Sequence, residues 1–429
     1  MDLLTGRRPR TAPRPEPRRL TRTDVLVIAV AGAVTVANLY FPQPLLDAIA
    51  RGLRVSPHTA GLVASAAQLG YALGILFLVP LADTARLRRL TTVLLALTSG
   101  GLLVAAAAPN VLTLTLATLA VSTTTVLPQI LTPVAAALAG PGRRGRVVGL
   151  VGLGLTLGST LSRTVSGVAS DAGGSWRTAY LLAAVATAAL LWFVPRALPE
   201  RLGATGDRLP YRRLLGSLPR LFAEHREVRE SALTGAAVFA AYSVFWATLS
   251  FHLAAPPLGL GPGVAGLFGV LSLPGALLSA YVGRLADRYG AGTVRTGALL
   301  CLAVSFVVVG LGARSPVALV VGANLLVLGT SAAQVANQAR IFELDARIAA
   351  RVNTVFMLCT FGGGALGTLT AAWLYGAYGW SATVLSSAGF TALAALVVTL
   401  ARRAAAPSCG ARDRREAGTH SRVPRRERR

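Results

Sequence analysis

The sequence predicts an all-helical integral membrane protein with twelve transmembrane helices in two pseudo-symmetric six-helix halves. Three observations lead to this fold class. Of the 429 residues, 53% are hydrophobic and only 14% are charged, whereas soluble globular chains average about 25% charged residues. The apolar residues form twelve long segments, and the arginines gather on every second connection between those segments. A soluble enzyme of this composition would expose far too much apolar surface.

The twelve segments are long enough to cross a bilayer. A transmembrane helix needs about 20 mostly apolar residues, because each residue adds ~1.5 Å across a hydrocarbon core about 30 Å thick. Short turns with Pro, Gly or Asn separate several segments, as expected for antiparallel neighbours. The predicted spans are 25–49, 58–82, 90–108, 111–139, 147–170, 177–195, 230–252, 263–283, 293–312, 316–339, 351–375 and 380–401.

The placement of the arginines predicts the orientation. The formal net charge is +25, and every basic residue is arginine. If the spans alternate in direction, 37 of the 42 arginines fall on one side of the membrane and Arg163 lies within a span. Positive charge concentrates on the cytoplasmic side, so both termini are predicted to be cytoplasmic. The arginines left on the other side are Arg51, Arg54, Arg177 and Arg314.

The charged segments divide the chain into five parts. Basic tails of residues 1–24 and 402–429 flank an N-terminal half, 25–195, and a C-terminal half, 230–401, which the cytoplasmic central loop 196–229 connects. The C-terminal tail has the charge to bind nucleic acid, but no folded or aromatic segment accompanies it. We therefore expect it to lie against anionic lipid, with membrane lipids as partners and no nucleic acid.

Enzyme, metal and cofactor chemistry finds no support in the sequence. Cys301, Cys359 and Cys409 are widely spaced, and the four histidines have no cluster of Cys, Asp or Glu around them, so no metal site is predicted. A Walker loop and a nucleophile elbow are also missing from the sequence. We predict a protein that is not an enzyme and uses no cofactor.

The two halves resemble each other. Distinctive residues recur at an offset of 204 or 205 positions, which suggests duplication. Paired repeats with a cavity between them are typical of transporters. The matched pairs are Asp83 and Asp287, Gln129 and Gln334, Arg146 and Arg351, Gly158 and Gly363, and Trp176 and Trp380.

A motif after span 8 carries a family resemblance. Residues 283–290 read GRLADRYG and resemble the loop signature of the major facilitator superfamily, G-x-L-A-D-R-x-G-R. The first copy, after span 2, keeps the core Leu81-Ala82-Asp83 and is followed by positive charge at Arg88. Residues 38–46, NLYFPQPLL, are similar to the first helix of bacterial drug or sugar efflux permeases in that superfamily.

The resemblance implies the major facilitator fold, a monomer, and a place in the cytoplasmic membrane of a bacterium. It further implies that a small-molecule substrate crosses by alternating access. We predict efflux of a small organic solute in exchange for protons. Uniport or uptake of an anionic or sugar-like solute is the alternative within transport. A transporter-like membrane sensor or lipid-handling protein is the alternative from another class.

A gate at the cytoplasmic ends of the spans is also implied by the resemblance. In the superfamily, the signature Asp contacts the opposite half in the outward-open state. Asp83 would then meet the start of span 11, and Asp287 the start of span 5, and these contacts would break as the halves rock. Alternatively, each motif only anchors the topology. The predicted gating residues are Asp83, Arg88, Arg146, Asp287, Arg288 and Arg351.

Polar residues within the spans are candidates for the lining of a substrate cavity, because polar groups in hydrocarbon tend to face protein or water. Hydrogen bonds between helices are the alternative. Spans 1, 4, 7 and 10 line the cavity in the superfamily, which favours Asn38, Gln129, Trp246 and Gln334. The full set is Asn38, Tyr40, Gln43, Gln68, Tyr71, Gln129, Arg163, Tyr242, Trp246, Asn324, Gln334 and Asn337.

Two features bear on the substrate and the driving ion. Arg163 lies in the outer half of span 5 and has three interpretations: it binds an anionic substrate group, pairs with Asp47 or Asp171, or reaches outward as a structural residue. No acidic residue falls at the centre of a span. Asp47 and His252 are therefore the proton-coupling candidates, and His252 also fits an interfacial side chain.

Overall fold

The computed structural model describes residues 21–83, 85–139, 143–200, 211–345 and 348–405. Within these ranges the chain is almost entirely helical and contains no β-strand. A backbone in hydrocarbon must satisfy its own N–H and C=O groups, and a helix does so within a single segment. The predicted all-helical membrane fold is confirmed.

Twelve spans follow one another along the described chain. Spans 1 to 6 are Arg22–Leu53, Pro57–Ala82, Leu87–Ala106, Val111–Leu138, Arg144–Ala172 and Trp176–Ala197. Spans 7 to 10 are Arg226–Ala254, Pro262–Tyr289, Ala291–Leu311 and Pro316–Phe342. The last helix, Ala349–Ala405, has 57 residues, about 85 Å at 1.5 Å per residue, which is far longer than a bilayer core. Its backbone turns at Gly379 (φ 72°, ψ −162°), so it comprises span 11 (349–378) and span 12 (380–405).

Five of the spans begin with a side-chain cap. Spans 1, 2, 4, 6 and 10 start directly after Thr21, Ser56, Asn110, Ser175 and Ser315. The side-chain oxygen of each accepts a hydrogen bond from a backbone N–H in the first turn. Ser, Thr and Asn are preferred at this position because they satisfy N–H groups that have no partner within the helix. The sequence alone therefore marks these helix starts.

Prolines interrupt three spans part-way along. Span 1 changes from an α-helix to a short 3-10 turn at Pro42 and Pro44, span 4 breaks just before Pro128, and span 8 breaks just before Pro274. Proline lacks a backbone N–H and its ring clashes with the preceding turn. These breaks matter for function, because residues beside each of them face the interior of the bundle, as described below.

The internal repeat appears in the structure as the same packing contact in both halves. Span 5 packs on span 1, and span 11 packs on span 7. A Cβ atom built on Gly158 would lie 2.3 Å from the carbonyl oxygen of Ala33, and one on Gly363 would lie 2.2 Å from that of Ala236. Small residues permit this close backbone approach between membrane helices. The two glycines are one of the pairs that the sequence offset matched.

The bundle has two chemically different ends. The end that carries the start of span 1, the end of span 12 and the connection between spans 6 and 7 is called the arginine-rich end, and the other is the arginine-poor end. Arginines tie neighbouring spans together at the first. Arg88 donates to the carbonyl oxygen of Leu198 at 3.1 Å, and Arg402 donates to that of Gly292 at 2.9 Å.

The two halves are in close contact toward the arginine-poor end. Between spans 5 and 8, the Thr164 hydroxyl donates to the carbonyl oxygen of Gly266 at 2.8 Å and accepts from the Val270 N–H at 3.1 Å. Asp171 accepts from the N–H of Gly263 at 2.9 Å. Spans 2 and 11 also approach closely, since a Cβ on Gly61 would lie 2.4 Å from the Cβ of Ala372. This end of the interface is sealed.

Toward the arginine-rich end, span 5 is open on its interior face. Helical periodicity places Gly145, Gly149 and Gly152 on the same face as Thr156 and Arg163. A Cβ atom built on any of these three glycines would find no heavy atom within 4 Å. The halves therefore diverge from a closed arginine-poor end to an open arginine-rich end.

The segment predicted as a central loop contains a helix. Tyr211–Glu224 forms this helix, called the linker helix, and it buries Leu218 and Leu221 against the bundle. The Tyr211 hydroxyl donates to the carbonyl oxygen of Phe77 in span 2 at 3.0 Å. Arg351 in span 11 donates to Ser217 at 3.3 Å. The linker helix thus contacts both halves at the arginine-rich end.

The glycine contacts predict a stability difference within one helix. Gly158→Ala places a methyl group against the Ala33 carbonyl and should lower the free energy of unfolding by about 1–3 kcal/mol, as overpacking does. Gly363→Ala should act alike in the other half. Gly149→Ala is the matched control, because it meets open space and removes the helix penalty of glycine, about 1 kcal/mol. Thermal unfolding midpoints in detergent measure the difference, and equal midpoints for all three variants would contradict the packing described here.

Candidate functional site

A cavity of about 270 Å³ lies between the two halves. Both halves contribute to its lining, through spans 1, 2, 4 and 5 on one side and spans 7, 8, 10 and 11 on the other. Six residues predicted from the sequence line it: Tyr40, Tyr71, Gln129, Arg163, Tyr242 and Gln334. Gln129 donates to the Tyr71 hydroxyl at 3.3 Å. The interior is therefore polar at the level where the interrupted spans meet.

Arg163 is the central charged group of the site. It lies 19 residues after Arg144, the start of span 5, which is about 28 Å along the helix, and its side chain is only 2% exposed. The Nε donates to Gln43 Oε1 at 2.8 Å, Nη1 donates to the carbonyl oxygen of Ser159 at 2.9 Å, and Nη2 donates to the Tyr242 hydroxyl at 2.7 Å. Because Tyr242 belongs to span 7, the guanidinium connects the two halves.

Aromatic rings surround the guanidinium. Its carbon atom lies 3.9 Å from the ring centroid of Trp246, 4.8 Å from that of Tyr40 and 5.8 Å from that of Tyr242. A cation over an aromatic face is attracted by the ring quadrupole, most strongly over tryptophan and when water is excluded. The rings hold the charge in place but do not neutralise it.

The acidic residues proposed as partners of Arg163 are engaged elsewhere. Asp47 pairs with Arg51 at 2.6 Å, one helical turn away, and Asp171 caps span 8 through the Gly263 N–H. Among the described residues, Arg163 forms no ion pair with any carboxylate. It also does not reach outward, since it is buried in the cavity wall.

The other predicted cavity residues divide into two groups. Gln43 and Trp246 touch Arg163 directly, as given above. Asn38 instead donates to the Thr187 hydroxyl of span 6 at 3.1 Å, and Asn324 joins spans 8 and 10 by accepting from the Gly275 N–H at 2.9 Å. These two make the interhelical bonds that were the alternative interpretation. Buried Gln68 and Asn337 lie outside the cavity lining.

The hydroxyl side chains of the cavity were not predicted from the sequence. Ser and Thr in membrane helices commonly bond to their own backbone, so their presence alone carries little signal. Their spacing could have indicated some of them, because Thr156, Ser159 and Thr160 share the helix face of Arg163. The hydroxyl residues of the lining are Thr156, Ser159, Thr160, Ser272, Ser279, Thr330, Ser331 and Thr360.

The two proton-coupling candidates lie at the arginine-poor end, away from the cavity lining. Asp47 follows the break in span 1 and is held by Arg51. His252 lies near the end of span 7, where its Nε2 is 2.7 Å from the carbonyl oxygen of Ala313 and its ring stacks on Trp380 at 3.9 Å. The histidine therefore joins elements of the C-terminal half.

Asp287 is not in contact with its predicted partner at the start of span 5 among the described residues. Asp287 is exposed and bonds to no described residue, and Arg146 is exposed as well. The side chain of Asp83 lies outside the described residues. Arg288 lies over the ring of Tyr289, with 5.2 Å between the guanidinium carbon and the ring centroid. Arg88 and Arg351 make the bonds to Leu198 and to Ser217 given above.

A buried ion cluster in the C-terminal half was also missed. Glu230, at the start of span 7, bonds to Arg295 at 2.5 Å and accepts two bonds from Arg340, each 3.0 Å long. Glu230 and Arg295 are almost fully buried. The cluster ties the starts of spans 7 and 9 to the end of span 10. In the sequence, the indication of this cluster was that three charged residues lie near span ends on the arginine-rich side.

Known proteins share this architecture. The chain matches the family model of the Major Facilitator Superfamily over residues 28–226 and 231–428. An uncharacterized transporter of Escherichia coli O157:H7, YgaY, is 38% identical over 366 residues, 85% of this chain and 92% of that protein.

Solved transporter structures also superimpose on it. The crystal structure of the nucleoside transporter NupG has a TM-score of 0.72 over 89% of this chain and 100% of that chain, at 14% identity. The peptide transporter POT in complex with sulfate has a TM-score of 0.70 over 89% of this chain and 94% of that chain, at 16% identity. These identities indicate a shared fold only. Because the family model covers both halves, the chain belongs to the Major Facilitator Superfamily of transporters.

Proposed function

We propose that this protein is a secondary active transporter that moves a small organic solute across the cytoplasmic membrane of a bacterium by alternating access, exporting it in exchange for protons. The observation that carries the proposal is the cavity between the halves, which both halves line and which is sealed at one end only. Neither half encloses this cavity alone. A relative movement of the halves would therefore expose it to the other side.

Charge supports the orientation. By the alternation of the spans, 37 of the 42 arginines in the sequence belong to the side of the arginine-rich end, and the positive-inside rule favours the cytoplasm for that side. The termini and the linker helix are then cytoplasmic, and the cavity faces inward. This assignment makes the described conformation the inward-facing state of the transport cycle.

The gating residues would stabilise the opposite state. In the inward-facing state, Asp287 has no described partner and Arg351 bonds to Ser217. We propose that closure of the cytoplasmic end brings Asp287 to the start of span 5 near Arg146, and Asp83 to the start of span 11. These contacts would replace those lost between spans 5 and 8 at the other end. Alternating access requires such a balance between two states.

Proton coupling rests on the family resemblance, with Asp47 and His252 as the candidate groups. One observation favours a second candidate function, uniport or uptake of an anionic or sugar-like solute: no carboxylate is among the described residues that line the cavity. The two functions differ in their response to the proton gradient. A sensor or lipid-handling protein would move no solute.

Cells that lack the protein and cells that overexpress it provide the test. Accumulation of a panel of small organic solutes is measured in both, with and without a protonophore. Proton-coupled export predicts lower accumulation on overexpression and loss of that difference when the protonophore is added. Lower accumulation that survives the protonophore would contradict proton coupling, and higher accumulation would indicate uptake. Identical accumulation of every solute would refute transport.

Neutralising the gate carboxylates should slow transport without affecting insertion. Asp287→Asn and Asp83→Asn each remove one charge-assisted contact of the outward-facing state, worth about 1.5–3 kcal/mol, so we expect about a tenfold lower rate at unchanged protein level. Flux in membrane vesicles and quantitative blotting measure the two effects.

Glu224→Gln is the control for these variants. Glu224 is an acid at the same end of the molecule, and it pairs with Arg220 on the exposed face of the linker helix. Such surface pairs contribute about 0–1 kcal/mol, so flux should not change. Normal flux in both Asp variants would remove the gate from the mechanism.

A further inference from the structure

We propose that Arg163 binds the acidic group of the transported solute, and that this solute is a small organic monoanion with an apolar or aromatic body. The inference rests on the proposed transport function, because it names the substrate class of the same cavity. Four properties of the site support it: an uncompensated charge, spare hydrogen-bond donors, an aromatic lining and a small volume.

Among the described residues, the buried charge of Arg163 has no counterion, in contrast to that of buried Arg295. In the C-terminal half, Arg295 and the half-buried Arg340 share the carboxylate of Glu230. Arg163 is as buried as Arg295, yet it bonds only to neutral groups of the described chain. An isolated buried charge is costly and is retained mainly for function. A solute carboxylate would supply the missing negative charge.

The guanidinium has donors left for that carboxylate. It carries five N–H groups, and three of them donate to Gln43, Ser159 and Tyr242. One N–H on each terminal nitrogen therefore has no acceptor among the described residues. Each of these two N–H groups can donate to one oxygen of a carboxylate. The Tyr242 hydroxyl accepts from Arg163, so its own proton is free to donate to the same anion.

The rest of the lining suits an apolar or aromatic body. The rings of Phe239 and Phe361 lie 5.1 Å apart, and that of Phe361 lies 4.6 Å from the ring of Tyr71. All three line the cavity together with Met357. They form a continuous apolar surface adjoining the Arg163 site, on which a flat ring or alkyl group would pack.

Size and charge limit the ligand further. The cavity of about 270 Å³ lies just below the usual range for small-molecule sites, about 300–1,000 Å³, so the ligand is small. One cation and no other charged side chain occur among the described lining residues. A dianion would keep one buried charge unpaired, and a cation would meet like charge. A single negative charge is therefore preferred.

Binding to the purified full-length protein tests this inference. The probes are pairs that differ only in charge: benzoate and benzamide, phenylacetate and phenylacetamide, and hexanoate and hexanamide, with phthalate as a dianion and benzylamine as a cation. Ligand-induced shifts of the unfolding midpoint and quenching of tryptophan fluorescence report binding, since Trp246 lies against Arg163. We expect each monoanion to bind about 10-fold or more tightly than its amide, and more tightly than phthalate or benzylamine.

Two substitutions separate recognition from a structural role. Arg163→Gln should remove the preference for carboxylate over amide, a loss of about 10- to 100-fold in carboxylate affinity, while amide binding and the unfolding midpoint of the free protein stay within error. Arg163→Lys keeps the charge without the two-pronged geometry and should retain part of the preference. If Arg163 were structural, both variants would unfold earlier and all ligands would weaken equally.

Arg177→Gln is the matched control. Arg177 also lies over a tryptophan, 4.2 Å from the ring centroid of Trp176, and donates to a carbonyl oxygen, that of Ala108 at 2.7 Å. It lies outside the cavity lining, so its loss should not change the carboxylate preference.

Three outcomes would overturn the inference: amides binding as tightly as carboxylates, no carboxylate binding at all, or an unchanged preference in Arg163→Gln. Solute flux in proteoliposomes tests the proposed transport function separately from ligand binding. Neutral solutes carried equally by both forms would refute anion recognition and leave transport intact. Selective carboxylate binding with no flux of any solute would refute transport and leave the binding site intact.

Discussion

Close approach of helix backbones is the interaction on which this bundle depends. In a bilayer the hydrophobic effect does not drive helices together, because lipid tails are as apolar as the side chains they replace. Association rests on van der Waals contact, and glycine permits the shortest separation. Gly158 and Gly363 hold spans 5 and 11 against spans 1 and 7, while Gly167 and Gly266 hold the halves together at the arginine-poor end. The first pair stabilises each half, and the second closes one side of the cavity.

Buried charge occurs in two arrangements in this molecule, one that stabilises the fold and one that belongs to the candidate site. At the arginine-rich end, the carboxylate of Glu230 accepts bonds from Arg295 and Arg340 and compensates their positive charge. These bonds join the starts of spans 7 and 9 to the end of span 10. Arg163 receives only neutral partners and aromatic rings. Both arrangements are buried, but only the second leaves charge and donors facing a cavity. That asymmetry gives the central site its chemical character.

Periodicity and charge predicted most of the fold, because both are local properties of a chain in lipid. Span length follows from bilayer thickness, and the orientation that we propose follows from arginine placement. The linker helix was not predicted, because its charged residues resembled those of an irregular loop. Leu218 and Leu221, which are buried, nevertheless follow helical spacing. Six of the residues predicted from their polarity line the cavity between the halves. Asn38 and Asn324 instead bond to neighbouring helices, because an amide in a span bonds to a neighbouring helix as readily as it lines a path.

The amino-acid sequence by itself determined the number of spans, their alternating direction, the duplicated halves and the family signature, since each depends on composition within a segment or on a fixed offset. Only the tertiary structure decided which end is sealed, which side chains share the cavity, and that Arg163 lies beside Gln43, Tyr242 and Trp246. These contacts join residues from three spans far apart in the chain. No local pattern encodes them, because the packing of whole helices sets the distances between them.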